Sequence, residues 1–126
     1  MNRSPLSSHK QSLGKYGETL AASYLRRKGF QIIERNFKAR YGEIDIVAID
    51  KDALVFVEVK TRIGDRFGAP EESVTPGKIR ELIKTGEYYG LLHPNLPKQL
   101  RIDVIAIKLT GERSVESINH IKNITG

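Results

Sequence analysis

Asp45, Glu58 and Lys60 are the residues of this 126-residue chain whose types and spacing could do chemistry. Asp45 lies in Gly42-Glu43-Ile44-Asp45-Ile46-Val47-Ala48, and the other two lie in Phe56-Val57-Glu58-Val59-Lys60-Thr61. Both segments are rich in Ile, Val and Phe and read as buried strands. A charge in such a strand costs several kcal/mol unless something neutralises it. Two carboxylates and an ammonium in one strand pair therefore point to a bound cation or a reacting anion. If Lys51-Asp52 forms a two-residue hairpin loop, Asp50 faces Ala53, Asp45 falls opposite Glu58, and Glu43 opposite Lys60. Directly opposed Cβ atoms sit about 4.5–5.5 Å apart, where like charges repel. A hard divalent cation shared by both carboxylates turns that repulsion into coordination. Alternation sets Glu58 and Lys60 on one face, with Val57, Val59 and Thr61 on the other; Asp45 shares its face with Glu43 and Val47. Lys-Asp is not a preferred turn dipeptide, and a slip of one residue would send Asp45 to the other face. The plainer reading is a solvated hairpin face with an ordinary cross-strand ion pair.

The elements that must position these groups follow from the spacing of apolar residues. Residues 1–11 read as a flexible basic arm, and residues 12–126 as a single domain. From Ser12 to Lys28 the pattern is helical: Leu13, Tyr16, Leu20 and Tyr24 form a stripe widened by Ala21 and Leu25, and Gly29 ends it. Glu18 lies at the edge of that stripe, where it can point towards a sheet, although a surface Glu on a helix is the plainer reading. Phe30 to Phe37 reads as a first strand, followed by strands over roughly 42–50 and 53–61. Ile63 to Thr75 is a loop carrying Arg66 and Phe67. Thr75-Pro76 starts a second helix whose inner face is Ile79, Leu82, Ile83 and Gly86, ending near Gly90. Tyr88 and Tyr89 read as packing for this helix rather than as rings for base stacking. Leu100 to Leu109 is apolar on both faces, hence a central strand. Ser114 to Ile121 reads as an edge strand. The order α-β-β-β-α-β-β predicts an α/β fold, a mixed central sheet flanked by helices.

Composition sets the outer bounds. The chain is long enough for a genuine core, and 39% hydrophobic with 29% charged residues fits a globular protein. No apolar run approaches a membrane span, which argues against a membrane partner. Met1 to Gln11 lacks an apolar signal core, which argues against export. The absence of cysteine excludes disulfides and thiolate chemistry and suits a cytoplasmic location. A net charge of +6 favours polyanions, nucleic acid first. Arg35, Lys38 and Arg40 precede the first acidic strand, and Lys60, Arg62 and Arg66 follow the second, so cations bracket the carboxylates. Lys78, at the start of the second helix, reads either as a solvated lysine, the plainer reading, or as a phosphate clamp beside the helix dipole. Arg101 and Asp103 share a strand face and read as a structural ion pair. His9, His93 and His120 have no metal-ligand spacing and read as solvated or core residues.

Gly17-Glu18, Gly42-Glu43-Ile44-Asp45, Val57-Glu58-Val59-Lys60, Val74-Thr75-Pro76-Gly77-Lys78 and Arg101-Ile102-Asp103-Val104-Ile105-Ala106, in this order, resemble the PD-(D/E)XK nuclease superfamily. More closely, the chain resembles the bacterial YraN family of endonuclease-like proteins, which are similar to archaeal Holliday junction resolvases. The resemblance covers about Leu13 to Ile107. It implies a restriction-endonuclease-like fold and a metal-dependent endonuclease that hydrolyses phosphodiester bonds in DNA, with branched or flapped structures as candidate substrates. It implies that Asp45, Glu58 and Glu18 hold Mg²⁺, with Mn²⁺ as an alternative, and that Lys60 completes the catalytic set. Arg40, Arg62, Arg66 and Lys78 are the expected nucleic-acid contacts. Ile44 stands where the superfamily's name has Pro. Resolvase-like relatives pair to act on two strands, so a homodimer is compatible with this reading. The alternatives are a catalytically inactive nucleic-acid-binding module on the same scaffold, and an adaptor whose acidic hairpin is a protein interface.

Overall fold

The computed structural model describes residues 5–64 and 74–125. Its elements are α1 (Pro5–Arg27), β1 (Gln31–Ala39), β2 (Gly42–Asp50), β3 (Ala53–Ile63), α2 (Pro76–Leu92), β4 (Gln99–Leu109) and β5 (Val115–Ile121). The five strands form one sheet in the order β1-β2-β3-β4-β5. The β3–β4 pair is parallel and the other three pairs are antiparallel. The α2 crossover makes the parallel pair possible, because parallel strands need a long connection. The expected mixed α/β sheet and its element order are therefore present. α1 begins at Pro5 rather than Ser12, so residues 5–11 of the expected arm are helical; a proline at the first helical position already holds helical φ.

The helices cover opposite faces of the sheet. Ala21, Ala22 and Leu25 of α1 pack with Phe30, Ile46, Val55, Val57, Ile105 and Ile107. Leu82 and Tyr89 of α2 pack with Ile44, Val47, Leu54, Phe56 and Ile102 on the other side. α1 ends where Gly29 turns to φ 94°. Gly29 N–H then donates to Arg26 O and Phe30 N–H to Leu25 O, each at 3.0 Å, a Schellman arrangement in which Phe30 joins Leu25 in the core. α2 is capped by Thr75, whose hydroxyl accepts from Lys78 N–H at 3.2 Å, with Pro76 following. Its buried residues are Leu82, Thr85, Gly86 and Tyr89, while Ile83 is exposed, against expectation. Thr85 is accommodated because its hydroxyl donates to Glu81 O. Gly86 lets the helix lie on the sheet: a Cβ there would sit 2.6 Å from Phe56 Cδ2.

Two features of β2 prepare the site. The hairpin register is the expected one, from Asp50↔Ala53 to Ile46↔Val57, and Lys51 takes the left-handed φ of 56° in the turn. The pairing stops there, one residue short of setting Asp45 opposite Glu58. Ile44 and Ile46 are two apart, yet Ile44 packs on the α2 side and Ile46 on the α1 side. The two-residue alternation is broken at Asp45, which corrects the expectation that Asp45 shares a regular face with Glu43 and Val47. Asn36, between the β1 residues that pair with Ile44 and Ile46, adopts φ 57°.

A polar cluster ties β4 to its neighbours on the α1 side. Arg101 Nε and Nη2 donate to the Asp103 carboxylate at 2.9 and 3.0 Å, and Nη2 also reaches Asp50 at 2.9 Å. His120 Nε2 lies 2.8 Å from Asp103 Oδ2, its ring edge-on to Tyr24 and beside Phe30. Burial alone would raise the Asp103 carboxyl. Hydrogen bonds from His120, Arg101 and Asn123 N–H outweigh it and hold the group below the usual range. The Arg101–Asp103 ion pair is thus structural as expected, and His120 is part of it.

Candidate active site

Glu58 follows Phe56 on the α2 face of β3, where the apolar core gives way to a polar pocket. It is 4% exposed. An isolated carboxylate would not tolerate that burial. Lys60, two residues on and on the same face, places Nζ 3.2 Å from Glu58 Oε2. Lys78, from the first turn of α2, places Nζ 3.8 Å from the same oxygen. The Thr75 cap fixes that turn, so the sequence signal for a helix start is also what brings Lys78 to the site.

Asp45 enters from β2. Its Oδ2 accepts Val59 N–H at 2.8 Å, taking a β3 donor where backbone pairing between the strands has ended. The carboxyl thus lies beside Glu58 although the two residues are not ladder partners. Asp45 is pushed up from 3.8 to about 7, first by burial and then by the neighbouring Glu58 charge; the Val59 N–H bond opposes this and Glu18 adds to it. A cation bound here would offset the cost that burial and the Glu58 charge place on ionised Asp45.

Glu18 comes from α1. Gly17 makes the approach possible, since a Cβ at that position would overlap Thr61 Oγ1 on β3. Glu18 Oε1 is buried and has no hydrogen-bond partner among the described residues; Arg35 Nη2 stands 3.5 Å away. The Arg35 guanidinium is therefore the counter-charge to this buried oxygen. Glu18, Asp45, Glu58, Lys60, Arg62 and Lys78 all line one pocket of about 400 Å³, with Glu43 and Thr61. Arg40 is not among them: it sits at the β1–β2 turn and lines a separate groove. Arg66 lies outside the described residues. Glu43 and Thr61 were not singled out as site residues, although Glu43 is two residues from Asp45 in the same motif.

The donors fit a hard divalent cation in part. Asp45 and Glu58 provide adjacent oxygens, and Glu18 lines the same pocket. Among the described residues no three carboxylate or imidazole groups converge on a ready-made metal cage. Mg²⁺ does not need one, since it retains several waters and commonly takes one or two protein carboxylates plus substrate phosphate.

Fold and site together define a mixed α/β domain that converges carboxylates and lysines at the point where two central strands part. Residues 17–107 match the family model described as "Uncharacterised protein family UPF0102". The chain belongs to that family. It is 50% identical over 113 residues to a UPF0102 protein of Syntrophomonas wolfei, covering 90% of this chain and 96% of the relative. It is 40% identical over 115 residues to one from Mycolicibacterium vanbaalenii, covering 91% and 94%, and 44% identical over 110 residues to one from Persephonella marina, covering 87% and 90%. The matched region contains every described residue of the pocket except Leu13 and Gly14. Among the described residues no helix is long and apolar enough to cross a membrane.

Proposed function

We propose that this chain is a metal-dependent endonuclease of restriction-endonuclease-like fold that hydrolyses phosphodiester bonds in DNA, within the cytoplasm. The observation that carries the reading is the meeting of Asp45, Glu58 and Lys60 in one pocket, with Lys78 on its rim. Asp45 and Glu58 would hold Mg²⁺ or Mn²⁺, with Glu18 as a further oxygen donor. When bound, the cation supplies Lewis-acid polarisation of the phosphoryl oxygen and a bound water of lowered pKa.

The chain's own groups account for the rest. Lys60, kept in place by Glu58, is a fixed positive charge for the anion that develops at phosphorus. Lys78 stands at the α2 N-terminus, where the helix dipole also favours a phosphate. Arg62 extends the positive rim. Glu58 is buried and Asp45 half-buried at the core side of the pocket, so these charges act at reduced dielectric.

The test is incubation with Mg²⁺ or Mn²⁺ and labelled junction, flap, linear and single-stranded DNA. Metal-dependent cleavage that is lost in Asp45→Ala and Lys60→Ala is the expected result. Cleavage unchanged in both variants rejects the assigned site. A second reading has its own support: Glu58 is already paired with two lysines. That favours a nucleic-acid-binding module without catalysis, and salt-sensitive DNA binding with no turnover would select it.

A further inference from the structure

Tyr88, expected to pack α2 against the sheet, does not: it is 42% exposed while its neighbour Tyr89 is 2% exposed. Tyr89 takes the inward position, sealed by a 2.9 Å hydrogen bond to Glu34 and by Phe37 and Phe56. Tyr88 instead rests one side of its ring near Phe37, at 6.4 Å between centroids. Helical spacing puts it in an exposed row with Arg80, Lys84 and Leu92, each four residues from the next. Across from this row stand Lys38 at the end of β1 and Arg40 and Tyr41 in the β1–β2 turn. Tyr41 is 51% exposed, and Lys84 Nζ lies 5.8 Å from its ring centroid.

The two rows enclose a track. A groove of about 410 Å³ runs between Lys38, Arg40, Tyr41, Tyr88 and Leu92. A second, of about 260 Å³, runs between Tyr41, Gly77, Arg80, Glu81 and Lys84. Tyr41 is common to both. Gly77 adjoins Lys78, and Glu43 is two residues from Tyr41, so the track starts at the rim of the carboxylate pocket. From Lys78 to Leu92 it follows about 21 Å of helix at 1.5 Å per residue. Exposed tyrosine rings set among Lys38, Arg40, Arg80 and Lys84 match a chain of alternating phosphates and planar bases. Base stacking on aromatic rings, with cations following the backbone, is how sequence-tolerant single-strand grooves work. A duplex offers no free base face to such rings.

We propose that this track binds an unpaired polynucleotide strand, with bases stacked on Tyr41 and Tyr88 and phosphates on Arg40, Arg80 and Lys84. The inference rests on the endonuclease reading for its meaning, because it makes the preferred substrate a duplex with a single-stranded arm leading away from the pocket. Glu87 stands apart from the track, facing Leu100 on the other flank of α2. Glu81, the acid within the track, is engaged with Lys78 at 4.0 Å.

The test is fluorescence anisotropy in EDTA with dye-labelled oligothymidylate, oligouridylate and blunt duplex DNA, on wild type, Tyr41→Ala, Tyr88→Ala, the double variant, and Tyr41→Phe and Tyr88→Phe. Loss of either ring should weaken single-strand binding about fivefold or more. The Phe variants should bind like wild type, and duplex binding should hold in all of them. Tighter binding of one oligonucleotide over the other tells DNA from RNA, and either supports the track. Single-strand binding unchanged in the double Ala variant overturns the proposal. So does a loss equal for single strand and duplex. A change in oligomeric mass by light scattering without any change in strand binding also overturns it, and marks the patch as a contact between copies. Because no cleavage is measured, a failure of the endonuclease reading leaves this result separately readable.

Discussion

Replacing Asp45 by Asn should make the metal-free protein more stable while abolishing its proposed activity. The Asn side chain keeps an oxygen to accept Val59 N–H, so local geometry is retained. What it removes is a buried carboxyl that burial and Glu58 push from 3.8 to about 7. A folded-state value raised above the unfolded one means that the native protein holds the extra proton. The associated stability is fully present below about pH 4 and is lost as pH rises through about 7. At about pH 8 the fold carries the whole cost, on the order of 4 kcal/mol from the shift alone. Asp45 opens onto a solvent-filled pocket, and screening there lowers this to about 2 kcal/mol. For a domain of this size that corresponds to a gain of roughly 8 °C in Tm. The assay is thermal unfolding of wild type and Asp45→Asn from about pH 5 to about pH 8, with and without Mg²⁺. Wild type should lose stability across that range and the variant much less. Mg²⁺ should restore wild type by about 2.7 kcal/mol at a hundredfold excess over Kd and leave the variant unmoved. Parallel pH curves for the two proteins, with no Mg²⁺ effect on either, would refute the reasoning, because Asp45 and Glu58 would then not share one electrostatic site.

Three further predictions concern the frame. Gly17→Ala should destabilise by about 1–3 kcal/mol, because the new methyl overlaps Thr61 Oγ1; Thr61→Ala should recover much of the loss in a double-mutant denaturation series. Asp103→Ala should cost about 2–3 kcal/mol in urea unfolding, since it leaves Arg101 with Asp50 alone as counter-charge and His120 without an acceptor. Tyr89→Phe should cost about 1 kcal/mol by loss of the bond to Glu34. In wild type, burial and that same carboxylate drive the Tyr89 phenol above its usual value, so a spectroscopic titration should find one tyrosine that ionises last.

Much of the scaffold was legible because each element announces itself locally. Gly29 closes α1, Thr75-Pro76 opens α2, and the run from Leu100 to Leu109 is apolar on both faces, as an inner strand must be. The hairpin register from Asp50 to Ile46 followed from counting across a two-residue loop. What failed were features set by tertiary contact. The break of alternation at Asp45 depends on that side chain competing for Val59 N–H, which no local propensity encodes. The inward turn of Tyr89 and outward turn of Tyr88 depend on Glu34 being at hand across the sheet, and both tyrosines fit a helix equally well. The link from Asp103 to His120 required knowing how β5 pairs with β4. At the site, residue types and spacing pointed to Asp45, Glu58 and Lys60. The close approach at Gly17 that delivers Glu18 became visible only in three dimensions.

The most direct measurement is a crystal structure of the protein soaked in Mn²⁺, with anomalous scattering used to locate the ion. The account predicts a peak bridging the Asp45 and Glu58 carboxylates, with Lys60 alongside and unliganded. Saturating Mn²⁺ that leaves this position empty would contradict it.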